Sequence, residues 1–300
     1  MLYFLYITGF TVAKILPIRL CYLIAEVTAY FYSLFARRDR EELTANLKVV
    51  LGEDADGRTI NRHILEIFKH FAKYLADFIK FTTFDKGYIE EHIDIQGLEN
   101  LDKCLEEGKG AVIVSLHLGN WELGGAVVGG LGYSINGLVL EHKNKRINDF
   151  FIRQRDINSF KSIPLGISAT RSISLGISVK ECFKALKRNE IVAIVGDKDY
   201  TSGGIPVEFF GQKAVLPKGP AVLSLRTGAP IVFTILPRVK DNKFRLILEE
   251  PIKHIPTGDH EKDIRELMAA YIRIFEKYIR QYPDQWYAFR KLWNPGPTTQ

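Results

Sequence analysis

The chain has 300 residues, 46% of them hydrophobic and 25% charged, which is enough for one sizeable core and excludes a disordered polypeptide. A formal charge of +6 and a pI near 9.0 favour acidic partners: an anionic bilayer, a phosphorylated molecule, an acidic carrier or nucleic acid. Cys21, Cys104 and Cys182 are widely spaced and form no Cys-x-x-Cys pair, which argues against a disulfide framework or a cysteine zinc cluster and fits a reducing compartment.

The N-terminus is apolar and aromatic without a basic region before it, which is not the pattern of a cleaved secretory signal. From Leu20 to Ala36 the sequence is almost entirely apolar, broken by Glu26, and it runs into Arg37, Arg38 and Arg40. That stretch is at the short limit of a membrane span, for which about 20 residues are needed, so a short span and an interfacial helix both fit. Lys14 and Arg19 can snorkel to headgroups, and the arginine cluster would put the rest of the chain on the cytoplasmic side. Residues 1–36 therefore read as a membrane-anchoring or interfacial segment. Residues 37–92 follow as a helical layer, with helices over Arg38–Val50 and Ile60–Phe81 around a loop containing Gly52, Asp54, Asp56 and Gly57. Ile64, Ile67, Phe68, Phe71, Tyr74 and Leu75 form the apolar stripe of the second helix.

From Ile93 onward short β-type runs alternate with helices, which predicts an α/β domain over 93–300: a central mixed sheet flanked by helices. The runs are Ala111–Leu116, Ile191–Val195, Pro230–Leu236 and Phe244–Leu248. Helices are expected over Val179–Arg188, over Ala221–Thr227 with Gly228 as terminator, and over Asp263–Tyr282. The doubled Leu-Gly-Ile-Ser at Leu165–Ser168 and Leu175–Ser178 is too short for repeat architecture.

The first of these strands carries the most chemistry, because it runs into His117-Leu118-Gly119-Asn120-Trp121-Glu122. A five-residue step puts side chains about 140° apart on a helix, whereas partners on one face are three or four apart. The spacing instead predicts a strand ending at His117, a turn at Gly119 and a helix capped by Asn120, with Glu122 in its first turn. Such a turn can bring carboxylate and imidazole together, fixing the tautomer and leaving one ring nitrogen to accept a proton. The expected place, outside the carboxyl end of a strand, is where open α/β sheets bind ligands. Gly124, Gly125, Gly129 and Gly130 each cost about 1 kcal/mol in a helix interior, which calls for close packing against the sheet or close approach of another backbone or an acyl chain.

These residues resemble the His-x4-Asp/Glu motif of glycerolipid acyltransferases, in the form found in the late lauroyl/myristoyl acyltransferases of lipid A biosynthesis. The same broad family includes phosphatidylinositol mannoside acyltransferases. Gly196-Asp197-Lys198-Asp199-Tyr200, Val207-Glu208-Phe209-Phe210-Gly211 and Pro217-Lys218-Gly219-Pro220-Ala221 are similar to its second block, and Pro283 to Trp293 looks like its usual ending. One departure is Asp197-Lys198-Asp199-Tyr200-Thr201, where the lipid A enzymes tend to have Asp-Gln-Asp-Tyr-Gly; this leaves the acceptor open.

The resemblance implies a membrane-associated O-acyltransferase at the cytoplasmic face of a bacterial inner membrane. It would carry a fatty acyl chain from an acyl-carrier-protein or coenzyme A thioester to a hydroxyl of a glycolipid, with a lipid A precursor as the first choice. Other lipids, such as a phosphatidylinositol mannoside or a lysophospholipid, and a non-catalytic lipid-binding protein are the alternatives. In this reading His117 is the general base, Glu122 orients it, and no cofactor or metal takes part. Asn120, Asp197 and Asp199 are candidates for holding substrate. Arg153 and Arg155, within a basic group that includes Lys143, Lys145, Arg146 and Lys161, are candidates for phosphate or acidic-carrier contact. The sequence has no Gly-x-Ser-x-Gly elbow, Walker loop, dinucleotide fingerprint, His-Glu-x-x-His helix or nucleic-acid-binding motif, so direct base catalysis is the simplest chemistry and nucleic acid is not an expected partner.

Overall fold

The structure, a computed structural model, describes residues 13–80, 84–141, 144–157, 160–165, 171–201 and 203–293. The helical layer contains α1 (Ile18–Phe35), α2 (Arg37–Leu51) and α3 (Gly57–Lys80). The apolar stripe of α3 buries Ile60, Ile64, Ile67 and Phe68 against Leu43 and Leu47 of α2 and Tyr287 near the C-terminus. The 18-residue α1 packs along α3 and buries Cys21, Tyr22, Ala29 and Ser33 there. The apolar leader thus shares a core with the helical layer.

The remaining chain alternates as expected. It runs α4 (Lys86–His92), β1 (Ile93–Gln96), α5 (Leu98–Glu106), β2 (Ala111–Ser115), α6 (Trp121–Gly130), β3 (Ile135–Leu140), α7 (Lys145–Ile157), β4 (Phe160–Leu165), α8 (Arg171–Lys187) and β5 (Ile191–Val195). A hairpin of β6 (Ile205–Phe209) and β7 (Gln212–Leu216) follows, then α9 (Gly219–Thr227), β8 (Ile231–Ile235), β9 (Arg238–Lys240), β10 (Lys243–Leu248) and α10 (His260–Gln281). The main sheet has the order β1-β10-β8-β2-β5-β3-β4, with β9 paired to β10. Strands β8, β2, β5, β3 and β4 are mutually parallel, and β10 is antiparallel to β8, so the sheet is mixed.

Strands β2 and β8 are buried at every residue because helices cover both faces of the sheet, which is why they read as continuous apolar runs without alternation. On one face α5 and α6 pack Leu101, Leu123, Val127 and Val128 against Ile113 and Ile135. On the other, α8, α9 and α10 pack Cys182, Leu186, Ala221, Met268 and Phe275 against Val112, Val114, Ile194 and Phe233. The chain leaves β2 for α6 on the first face and later returns to place β5 between β2 and β3. The carboxyl ends of β2 and β5 therefore flank a switch in strand order, where a crevice opens.

Most predicted elements form within a few residues of their expected bounds, but α8 begins at Arg171, eight residues before the expected Val179. Asp259 starts α10 early by accepting the backbone N–H groups of Glu261 and Lys262, and Gly228 ends α9 in the left-handed conformation. Elements not placed from the sequence are α4, β1, α5, the β6–β7 hairpin and β9, together with β3, α7 and β4, which lie in a segment whose basic residues suggested a solvated face. The calls on Met1–Val12, Phe81, Lys143 and Gly166–Ser168 lie outside the described residues.

Candidate active site

Strand β2 ends at Ser115, and the chain bends at His117 before Gly119, held by backbone hydrogen bonds to neighbouring segments. Tyr287 N–H donates to the His117 carbonyl (2.8 Å), Gly119 N–H to the Gln285 carbonyl (3.0 Å) and Asn120 N–H to the Leu236 carbonyl (2.9 Å). Gly119 has φ +65°, and a Cβ there would sit 2.3 Å from the Leu236 carbonyl oxygen, so only glycine fits this turn. Asn120 caps α6 as predicted, its side-chain oxygen accepting from Leu123 N–H at 3.0 Å.

The structure changes the expected partner of the histidine. His117 Nδ1–H donates to Asp197 Oδ1 at 2.6 Å, while Asp197 Oδ2 accepts from the His117 backbone N–H (3.3 Å) and the Trp286 indole N–H (3.0 Å). Asp197 lies two residues beyond β5 and is fully buried, whereas the His117 side chain is 18% exposed. Glu122 does not orient the imidazole. Its carboxylate is held by the Arg155 guanidinium through two hydrogen bonds, Nε to Oε2 at 2.8 Å and Nη2 to Oε1 at 2.5 Å, with both side chains under 10% exposed. The physical reason is reach: Glu122 points from the first turn of α6 toward α7, while Asp197 comes from the strand adjacent to β2.

Other candidates are also reassigned. Asn120 is 2% exposed and spends its amide on the cap and on Asp77 Oδ2 (2.8 Å), so it is not free to hold substrate. Asp199 does not share a face of a continuing strand with Asp197. It lines the cavity described below and organises the following loop, accepting from Thr201 N–H, Thr201 Oγ1–H and Gly204 N–H at 2.7–2.8 Å. Arg153 is exposed on α7 and does not line the cavity described below; Arg155 lines it while paired to Glu122.

Burial pushes the His117 imidazole below its ordinary pKa, the nearby Lys198 ammonium adds to this, and Asp197 opposes both. Burial alone would raise the Asp197 carboxyl, but His117, Lys198 and the Trp286 indole together hold it down at about 2. The ionised carboxylate fixes Nδ1 as the protonated nitrogen and leaves Nε2 as the acceptor on a neutral ring, the form that a general base requires near pH 7. Lys198, which donates to the Tyr287 carbonyl at 2.7 Å, and Trp286 are functional neighbours whose motifs were visible without a role for either. Trp121 stands edge-on to His117, with ring centroids 5.0 Å apart, and stacks on Tyr74.

Behind this Asp–His pair lies a cavity of about 770 Å³, lined mainly by apolar side chains and by the glycines of α6 and β3. His117 and Trp121 stand on its wall. Lys198, Lys218 and Arg290 also line it, and the last two are exposed.

A second buried cluster supports the first. Asp77 of α3 is fully buried and accepts from Tyr22 (2.6 Å), Asn120 (2.8 Å) and Arg238 (2.5 Å), and Arg238 Nη1 also donates to the Tyr22 hydroxyl at 3.0 Å. Burial works against the Arg238 charge, and Asp77 more than restores it, raising the guanidinium pKa. Asp77 lies three residues beyond Tyr74, within the apolar stripe of α3. An acidic residue in phase with such a stripe was the available signal.

Fold and site together define an α/β protein with a His–Asp pair at a sheet switch point, on the wall of an apolar cavity. The chain belongs to the bacterial lipid A biosynthesis acyltransferase family, whose model matches residues 1–294. It is 25% identical over 257 residues to a phosphatidylinositol mannoside acyltransferase of Mycolicibacterium smegmatis, covering 84% of this chain and 79% of the relative. A phosphatidylinositol mannoside acyltransferase of Mycobacterium tuberculosis is 26% identical over 196 residues, covering 65% of this chain and 60% of that protein. The Escherichia coli lipid A biosynthesis palmitoleoyltransferase is 25% identical over 213 residues, 70% of this chain and 64% of that protein. The chain is therefore an acyltransferase, with an acyl donor and a lipid acceptor as its substrates.

Proposed function

We propose that this acyltransferase moves a fatty acyl chain from a carrier thioester to a hydroxyl of a phosphorylated glycolipid, a lipid A precursor in the first reading. The observation that carries the chemistry is the His117–Asp197 pair at the wall of an apolar cavity. His117 Nε2 takes the proton of the acceptor hydroxyl as its oxygen attacks the thioester carbonyl. The tetrahedral intermediate collapses, the C–S bond breaks, and the thiolate takes the proton back from the imidazolium. Asp197 stays ionised throughout and stabilises the transient cation. Glu122 and Arg155 act as a buried brace that fixes α6 against α7. Lys218 and Arg290, exposed and lining the cavity, are suited to phosphate on the donor or acceptor.

Acylation of a mannosylated phosphatidylinositol is the second reading. It is favoured by the 84% coverage in the Mycolicibacterium smegmatis alignment and by the departure at Lys198 and Thr201. Mass spectrometry of total lipids from a deletion strain, with and without the wild-type gene restored, separates the two. A lipid A species short of one acyl chain in the deletion strain supports the first reading, and an under-acylated inositol lipid supports the second. A lipid profile unchanged by deletion would overturn both.

We also propose that α1 lies in the plane of a membrane surface. Among the described residues it is the one helix long and apolar enough to cross a bilayer, yet one face is committed to α3. The other face leaves Leu23, Ile24, Val27, Phe31, Leu34 and Phe35 between 48% and 84% exposed, followed by the exposed Arg37 and Arg38. Apolar insertion beside a basic cluster is the pattern of an interfacial helix. Each inserted side chain is worth about 1.5 kcal/mol or more, so Phe31→Glu with Leu34→Glu should weaken partitioning onto anionic vesicles by at least roughly 100-fold. Cosedimentation that is insensitive to this pair, but lost in high salt, would assign attachment to charge alone.

A further inference from the structure

The acyl-transfer reading leaves one property of the cavity unexplained, namely where the chain must stop. On the sheet face covered by α6, Ile113 of β2, Ala193 of β5 and Gly137 of β3 are level with one another across three neighbouring strands, and all three line the cavity. Gly124, Gly125 and Val128 line it from α6. Small residues on both layers thus keep a channel open between helix and sheet, and Ala193 is only partly buried although its strand is interior to the sheet.

Beyond that row stands Phe160, the first residue of β4, which pairs with Ile135, two residues before Gly137. Its ring leans across β3 into a notch that exists only because both walls are glycine. A Cβ on Gly137 would lie 2.3 Å from the ring, and one on Gly125 would lie 2.8 Å from it. The glycines of α6 raised the choice between tight packing and approach of an acyl chain, and the structure divides them. Gly125 makes room for Phe160, whereas a Cβ on Gly124 would meet nothing closer than 3.6 Å. Phe160 is 6% exposed, and what it exposes faces the cavity.

We infer that the Phe160 ring, clamped between Gly125 and Gly137, is the stop that sets the length of the transferred acyl chain. This rests on the acyl-transfer reading and names the specificity determinant of that same site. His117 is four residues beyond Ile113, and Gly137 is two strands across. With a rise of about 3.3 Å per residue and about 4.8 Å between strands, the base lies roughly 16 Å from the level of the ring. C–C bonds of about 1.5 Å advance an extended chain by about 1.25 Å per carbon, so roughly a dozen carbons fit before the ring is met.

The test is transfer by the full-length protein from a series of saturated acyl thioesters differing by two carbons, with product masses read directly. Phe160→Leu should move the preferred length upward by about two carbons, with at least a fivefold gain in the ratio of the longer to the original chain. Ala193→Val, which narrows the channel before the ring, should move it downward. Circular dichroism confirms that each variant is folded, and if Phe160→Leu does not fold, Ala193→Val decides alone. An unchanged length profile in folded variants overturns the stop while leaving acyl transfer in place. Absence of transfer by the wild type from every thioester, with each acceptor lipid, overturns the reading on which it rests.

Discussion

Replacing His117 by alanine should lower acyl transfer by about 100- to 10,000-fold, the usual contribution of a positioned general base. Some stability should be lost as well, because the fully buried Asp197 carboxylate loses a hydrogen-bond donor, so transfer is compared at a temperature where the variant is folded. Asp197→Asn should lose a comparable amount for a different reason. An asparagine can offer its N–H₂ to Nδ1, which moves the ring proton to Nε2 and removes the base from the side facing substrate. The pH profile separates the two roles. Burial and Lys198 hold the His117 pKa below its ordinary value, so wild-type activity should be lost on acidification only below about pH 6.5, as the ring becomes protonated. Asp197 raises the imidazole pKa, so removing its charge should move the acid limb of the residual activity further down. Lys198 lowers it, so Lys198→Met should move the limb up. Limbs that stay fixed in both variants would mean that the titrating group is not His117. Unchanged transfer by His117→Ala would remove base catalysis by this residue.

The second large effect is on stability. Asp77→Ala should destabilise the fold by about 3–5 kcal/mol, since it strands the buried Arg238 guanidinium and removes the acceptor for Tyr22 and Asn120. That is a large fraction of the 5–15 kcal/mol that typically separates folded from unfolded domains. The Lys73–Asp241 pair is the internal control. Asp241 is 69% exposed and the buried Lys73 keeps Glu26 as a second partner, so Asp241→Ala should cost no more than about 1 kcal/mol. Denaturant midpoints of the two variants measure the contrast, and equal, small shifts would show that the Asp77 cluster contributes no more than this half-exposed pair. Because Asn120 caps α6, Asp77→Ala should also loosen the start of that helix, visible as faster amide exchange at Leu123, whose N–H Asn120 accepts.

The resemblance of the His117, Asp197 and Trp286 segments to one family was legible along the chain because each is a short run with its own spacing. What that spacing could not give was the pairing between runs. His117 and Glu122 are five residues apart and looked like partners, yet Glu122 and Arg155 pair with one another, as do His117 and Asp197, 80 residues apart. Trp286 meets the same carboxylate from 89 residues further along. Strand β5 returns between β2 and β3, and that crossover, absent from any local pattern, sets Asp197 beside the base.

The sequence by itself determined the alternating α/β plan, the strand that leads toward His117, the turn at Gly119 and the cap at Asn120. These follow from local forces: apolar periodicity, the sterics of one glycine, and a side chain that satisfies an open helix end. Tertiary structure alone decided which carboxylate holds the imidazole, which arginine neutralises Glu122, that α1 gives one face to α3 and leaves the other bare, and that the Phe160 ring sits between two glycines on the cavity wall. Each of those depends on contacts between segments distant in the chain, since buried charges and rings take whatever neighbour the fold brings within reach.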